Sequence, residues 1–274
     1  MPVEAAESGA AAGALPEAIR PLWDAPPTVT ALMSTRQGGV SRAPFDSLNL
    51  RPPGLPSDDP DDPVAVQQNQ RRFAAALGAR PVWLNQVHGA EVLRLQAGMP
   101  LDGLPQADAS ICTEPGLACV VLVADCLPVL LCSSDGSGVG AAHAGWRGLA
   151  CGVLDHSVAA LCQATGRAPA DLLAWLGPCI GPTAFEVGED VLRAFGAEPA
   201  RPDPEFFIAR QRADGSAAWL ANLPALARQR LGALGLHRIS GGGWCTVGDA
   251  SRFFSFRRDR RTGRLAAAIA LLGR

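Results

Sequence analysis

Apolar positions along this chain fall into short, dense runs rather than long helical stripes. Residues 29–35 (VTALMST) predict a first strand, and Arg36-Gln-Gly-Gly-Val-Ser after it has turn chemistry. Residues 51–63 carry five prolines and four aspartates and predict a surface loop. Asp62 then caps a helix to about residue 78, with Pro63 in its first turn and Gly78 near its end. Two short strands are expected at 82–84 and 92–95. The densest core signal follows in 119–124, 128–132 and 138–143, the last two joined by a Ser134-Asp135-Gly136 turn. Gly145 opens a helix through about Gln163, before a strand at 172–176. Helices near 188–196 and 217–232, a strand at 238–240 and a closing strand at 265–271 complete the pattern. Strands joined by short turns with helices interspersed predict an α+β fold, a single layered domain with a mixed β-sheet core flanked by helices. That domain spans residues 21–274. Residues 1–20, rich in Ala, Gly and Glu without apolar periodicity, predict a disordered leader.

Composition narrows the chemistry. All 24 basic residues among the 274 are arginine, there is no tyrosine, and the only histidines are His88, His143, His156 and His237. Without lysine there is no Schiff base, no pyridoxal-phosphate anchor and no P-loop lysine. A net charge of -2 argues against nucleic acid as a partner. Arg257, Arg258, Arg260, Arg261 and Arg264 form a local basic run that fits a solvated turn or an anion site better than a nucleic-acid tail. The longest apolar stretch, 117–132, is interrupted by Asp125 and Pro128 and is too short to span a bilayer. Eight cysteines without a CxxC pair, in a chain lacking a secretory signal pattern, predict a reduced cytoplasmic protein.

The residues able to do chemistry gather where strands stop. His88 precedes Gly89 at a strand end, Cys126 sits in a break between two core strands, and His143 ends a strand before Ala144-Gly145-Trp146-Arg147-Gly148. Two imidazoles and a thiolate suit zinc and leave a fourth coordination position open. Their separations, however, match no short ligand motif, and unconnected core and turn residues would give the same spacing. Arg147, beside the N-terminus of the following helix, could hold an anion or form a surface ion pair. Asp125 could orient a ligand histidine, serve as a general base, or only cap the strand break. His156 and His237 read as surface or interface residues. Cys179 and Cys245, near turns, are weaker candidates.

The strings Asn85-Gln-Val-His-Gly89, Ala124-Asp-Cys-Leu-Pro-Val-Leu130, His143-Ala-Gly-Trp-Arg-Gly148 and Gly177-Pro-Cys-Ile-Gly-Pro182 resemble the laccase-domain family. That family is also called polyphenol-oxidase or purine-nucleoside-phosphorylase-like, and it includes peptidoglycan-editing factors. Thr35-Arg-Gln-Gly-Gly-Val-Ser41, Ser47-Leu-Asn-Leu50 and Phe253-Phe-Ser-Phe-Arg-Arg258 extend the resemblance, in order, from about residue 30 to the C-terminus. The resemblance implies zinc at His88, Cys126 and His143. It also implies phosphorolysis of adenosine, inosine, guanosine and methylthioadenosine, and hydrolytic deamination of adenosine. Purine nucleosides and phosphate would be the small-molecule partners, with Arg147 and Arg36 holding phosphate and Asp125 moving a proton. The chain departs from the family's pattern at Arg51-Pro-Pro-Gly54, where a glycine and a polar stretch with a histidine are usual. Two alternatives stand beside this reading. One is a Cys–His hydrolase with Cys126 as nucleophile and His143 or His88 as base, acting in peptidoglycan editing. The other is a polyphenol oxidoreductase using a single Cu(2+) at the same three ligands, since four histidines cannot furnish a full multicopper site.

Overall fold

The structure, a computed structural model, describes residues 15, 17–56, 60–100 and 103–273. The expected leader therefore lies mostly outside the described residues. Within them, Ile19 is buried and pairs with Met33.

In chain order the first seven strands are β1 (Val29–Met33), β2 (Arg80–Val82), β3 (Val92–Leu95), β4 (Ala109–Cys112), β5 (Leu117–Val123), β6 (Leu127–Ser133) and β7 (Val139–Ala144). The remainder are β8 (Leu172–Leu176), β9 (Glu186–Val187), β10 (Phe207–Gln211), β11 (Ala217–Ala221), β12 (Arg238–Gly241) and β13 (Leu265–Leu271). The helices are α1 (Pro63–Leu77), α2 (Trp146–Ala150), α3 (Val153–Thr165), α4 (Glu189–Ala194), α5 (Leu223–Ala233) and α6 (Phe256–Asp259). They build a mixed sheet in the order β1-β13-β5-β2, a second mixed sheet β12-β8-β6-β7-β4-β3, and a small antiparallel sheet β10-β11-β9. The α+β expectation holds.

The two large sheets pack face to face, each with helices on its outer side. Period-2 alternation explains how one strand serves two cores. On β5, Cys119, Val121 and Val123 meet Leu130, Trp175 and Ile269 between the sheets. The intervening Ala118, Val120 and Leu122 pack with Phe73 and Leu77 of α1. On β6, Leu127, Val129 and Leu131 face Leu154, Leu161 and Leu231 of α3 and α5. Burial on both faces is why these strands read as unbroken apolar runs.

Local signals account for the element ends. Asp62 accepts from the Val64 N–H and Gly78 closes α1 in the left-handed region, as the sequence predicts. The helix expected from Gly145 to Gln163 is instead two pieces, because Gly152 at φ 88 breaks it. Residues 217–221 are strand β11 rather than the start of a helix. Asn222 caps α5 there by accepting from the Ala225 N–H. β4, β9, β10 and α6 lie outside the elements that the sequence pattern predicts, and β2 lies two residues earlier than expected. The proline-rich 51–63 segment is not wholly surface: Pro52 is buried and Arg51 half-buried.

Candidate metal centre

Three chain segments converge at one end of the β6–β7 pair. Antiparallel register sets Pro128 opposite His143 and Leu127 opposite Ala144, so Cys126, just before β6, lies beside the end of β7. His88 arrives on a different loop, drawn in by one buried carboxylate. Asp108, fully buried before β4, accepts from the backbone N–H groups of Val87 (3.1 Å), His88 (2.9 Å) and Gly89 (2.7 Å). The same carboxylate lies 2.8 Å from His143 Nδ1, and its backbone carbonyl accepts from the His143 N–H. Asp108 thus fixes one histidine by its ring and the other by its backbone. With Nδ1 occupied, His143 offers Nε2 to a ligand.

The outcome is a compact donor set. Ligand atoms of His88, Cys126 and His143 lie within 4.8 Å of one another. His88 Nε2 is 3.8 Å from Cys126 Sγ, and the two imidazoles meet edge to face at a centroid distance of 4.8 Å. His88 adopts φ 62 and Asp125 φ 102, left-handed conformations that non-glycine residues adopt at a cost. Gly145 makes room for the set: a Cβ there would stand 2.9 Å from Cys126 Sγ and 3.2 Å from the His88 ring.

Electrostatics suit a thiolate. Burial alone would push the Cys126 thiol up, but His143 and His88 outweigh it and bring it down to about 6. Burial would lower His143; Cys126 and Asp108 raise it instead to about 9. Burial works against the Asp108 carboxylate too, yet hydrogen bonds from His143 and the Gly89 and Val87 backbone hold it below its usual range. Two imidazoles and a ready thiolate, one imidazole oriented by a carboxylate, fit a divalent metal with an open position.

The three groups line a cavity of about 670 Å³. Its walls mix apolar and aromatic side chains, among them Leu84, Ile180, Phe185 and Trp146, with arginines. Arg147 lines it and stacks over Trp146 at 4.4 Å, and Arg257 stacks over Phe185 at 5.5 Å. Because α2 is barely one turn, the cationic feature at that corner is the Arg147 guanidinium rather than a helix terminus.

A family model for multi-copper polyphenol oxidoreductase laccase matches residues 30–272. The chain belongs to that family. Within this laccase-like family, a Pseudomonas aeruginosa protein named purine nucleoside phosphorylase is 47% identical over 253 residues, covering 92% of this chain and 98% of its own. An Escherichia coli protein of the same name, YfiH, is 48% identical over 256 residues, covering 93% of this chain and 98% of its own. A crystal structure of a Neisseria meningitidis protein superposes with a TM-score of 0.81 at 42% identity, covering 94% of this chain and all of that one.

Other expected members of this family's site fall differently. Asp125 lines the cavity, but its oxygens accept from Thr246 Oγ1 (2.6 Å) and the Arg257 backbone N–H (2.6 Å). The His143 ring has Asp108, not Asp125, as its carboxylate partner. Arg36 does not line the cavity: it donates to the Asp46 and Ala250 carbonyls, pairs with the Asp46 carboxylate and stacks over Phe254. His156 bonds the Ala90 carbonyl and His237 is exposed elsewhere. Cys179 is buried, and Cys245 accepts backbone N–H groups from Gly181 and Gly248. Among the described residues, no helix is long and apolar enough to cross a membrane.

Proposed function

We propose that this protein is a zinc-dependent purine nucleoside phosphorylase. In this reading it cleaves adenosine, inosine, guanosine and methylthioadenosine with phosphate to the free base and ribose-1-phosphate, and it also deaminates adenosine by hydrolysis. The carrying observation is the His88–Cys126–His143 donor set opening onto an aromatic- and arginine-lined cavity. The names of the two bacterial relatives support the substrate class. When bound, the metal supplies Lewis acidity toward an oxygen of water or substrate.

The chain's own residues do the remaining work. Asp108 keeps His143 in the tautomer that presents Nε2 and keeps the His88 loop in place. The apolar walls, Phe185 and Trp146 among them, exclude water from a purine ring. Arg147 presents a guanidinium to anionic oxygens as negative charge leaves the ribose. Asp125, with both oxygens engaged, positions Thr246 and the Arg257 segment rather than carrying a proton. Eight free cysteines fit a reducing cytoplasm.

The test is product analysis with adenosine and inosine, each with and without phosphate. Phosphate-dependent free base together with ribose-1-phosphate is expected, and ammonia from adenosine alone. Absence of ribose-1-phosphate from folded, metal-loaded protein would remove the phosphorylase assignment.

One observation favours a second reading. A Cys126 thiolate brought down to about 6 beside His143 is also the arrangement of a Cys–His hydrolase. Zinc protection of Cys126 from alkylation, with nucleoside turnover lost on chelation, would decide against it. Copper at the same three ligands would give different chemistry. The histidine count argues against a multicopper centre, since His156 and His237 lie apart from this group.

A further inference from the structure

A second cavity of about 430 Å³ adjoins the first and shares with it Arg51, Leu55, Phe256, Arg260 and Arg264. Three arginines, Arg51, Arg260 and Arg264, therefore line both chambers where they meet. Burial lowers the tendency of Arg264 to hold its charge, and the nearby Arg51 adds to that; Cys126 and Asp125 act in the opposite sense. Arg264 lines the same cavity as His88, Cys126 and His143. Burial weakens the Arg51 charge as well. Like charges drawn out of water raise the free energy of the empty site unless an anion joins them.

Among the described residues, none of the three arginines forms an ion pair with a carboxylate. Arg51 donates to the Pro56 carbonyl, Arg264 to the carbonyls of Thr262 and Gly263, and Arg260 stacks over Phe256. Asp61 also lines the second chamber, but its carboxylate accepts from Asn49 Nδ2 and the Asp62 N–H. Two buried polar atoms on this wall have no hydrogen-bond partner: Arg51 Nε and Thr262 Oγ1. Thr262 is only 7% exposed and lines the second chamber. Arg260 is held at φ 60, a left-handed conformation that costs free energy. A carboxylate would satisfy one guanidinium fork. Three forks and a hydroxyl call for more oxygens and more charge, which a phosphate dianion supplies.

We propose that this junction is a phosphate subsite, in which Arg51, Arg260 and Arg264 hold the oxygens and Thr262 Oγ1 donates a further hydrogen bond. The ligand's ring system then occupies the first chamber beside His88, Cys126 and His143, a placement that rests on the nucleoside reading above. The phosphate is either free orthophosphate, as co-substrate, or the 5′-phosphate of a nucleoside monophosphate.

Calorimetric titration of the metal-loaded protein with inorganic phosphate, adenosine and adenosine 5′-monophosphate tests this. The variants are Arg51→Gln, Thr262→Val and Arg260→Gln, the last at an exposed side chain where folding is least at risk. Wild type is expected to bind phosphate or to prefer the monophosphate over adenosine. Arg51→Gln and Arg260→Gln should each weaken that binding about tenfold or more, and by a larger factor than any change in adenosine affinity. Loss of orthophosphate binding alone identifies the co-substrate; loss of the monophosphate's advantage identifies the ester. If wild type binds no phosphate and holds the monophosphate no tighter than adenosine, or if both arginine variants bind both ligands as wild type does, the subsite is overturned. Binding is read without turnover. Arginine-dependent phosphate binding in a protein that releases no ribose-1-phosphate would therefore refute the activity and leave the subsite standing.

Discussion

Replacing Asp108 by asparagine changes one atom and should damage the site more than any other single-atom exchange near it. Oδ2 accepts from the Val87 and Gly89 N–H groups, and Oδ1 accepts from the His88 N–H and faces His143 Nδ1. An amide can leave only one of these oxygens in place, so its NH2 must point at two donors whichever way it turns. Hydrogen bonds to a charged group contribute about 1.5–3 kcal/mol each, so losing two costs about 3–6 kcal/mol. That is a large part of a total stability of about 5–15 kcal/mol. At roughly 2–4 °C per kcal/mol, the melting temperature of the metal-free protein should fall by about 6 °C or more. Metal affinity should fall about 10–100-fold, because His143 loses the partner that fixes its tautomer. Thermal melts in chelator, with competition against a chromophoric zinc chelator, measure both quantities. An Asp108→Asn protein that melts within about 2 °C of wild type and binds zinc equally well would refute the role given to this carboxylate.

Gly145→Ala places a methyl 2.9 Å from Cys126 Sγ, so zinc affinity in the same competition titration should drop while the fold's circular dichroism is kept. Asp125→Asn forces an amide NH2 toward either the Thr246 hydroxyl or the Arg257 N–H. Turnover should fall with zinc content unchanged, as read by paired kinetics and metal analysis. In the β6–β7 turn, burial pushes the Asp135 carboxyl up, but hydrogen bonds from Ser137 and Ser133, with the Arg167 charge, outweigh it and bring it down to about 2. A lowered carboxylate stabilises fully above its unfolded value near pH ~4 and loses that contribution as pH falls to about 2. The melting-temperature gap between wild type and Asp135→Asn should therefore close over that window. A gap independent of pH would contradict this.

Much of the scaffold was legible because local chemistry and burial agree. Asp62, Pro63 and Gly78 bracket α1 to the residue, and the doubly buried β5, β6, β7 and β13 announce themselves as apolar runs. Two helix boundaries differ from the sequence pattern where competing signals sit side by side. Gly152 stops α2 from running into α3, and Asn222 with Pro224 marks the start of α5 after an alanine-rich strand. The metal candidates were visible as residues at strand ends, but their union was not, since the β6–β7 register and Asp108 bring them together. Asp108 itself carried no local signal. It precedes a strand of small residues, Ala109-Ser-Ile-Cys112, and the donors it collects lie 19–21 residues away along one loop and 35 away on β7. The arginine run near the C-terminus was readable as an anion site or a solvated turn. Only the meeting of its Arg260 and Arg264 with Arg51, from the proline-rich loop, favours the former.

The metal-to-protein ratio, by elemental analysis of protein purified without added metal, tests the central claim most directly. His88, Cys126 and His143 forming one centre predicts about one zinc per chain in wild type and in Cys245→Ser, and almost none in His88→Ala or Cys126→Ser. Zinc retained in both ligand variants, or a metal-free wild type that turns over nucleosides at full rate, would contradict it.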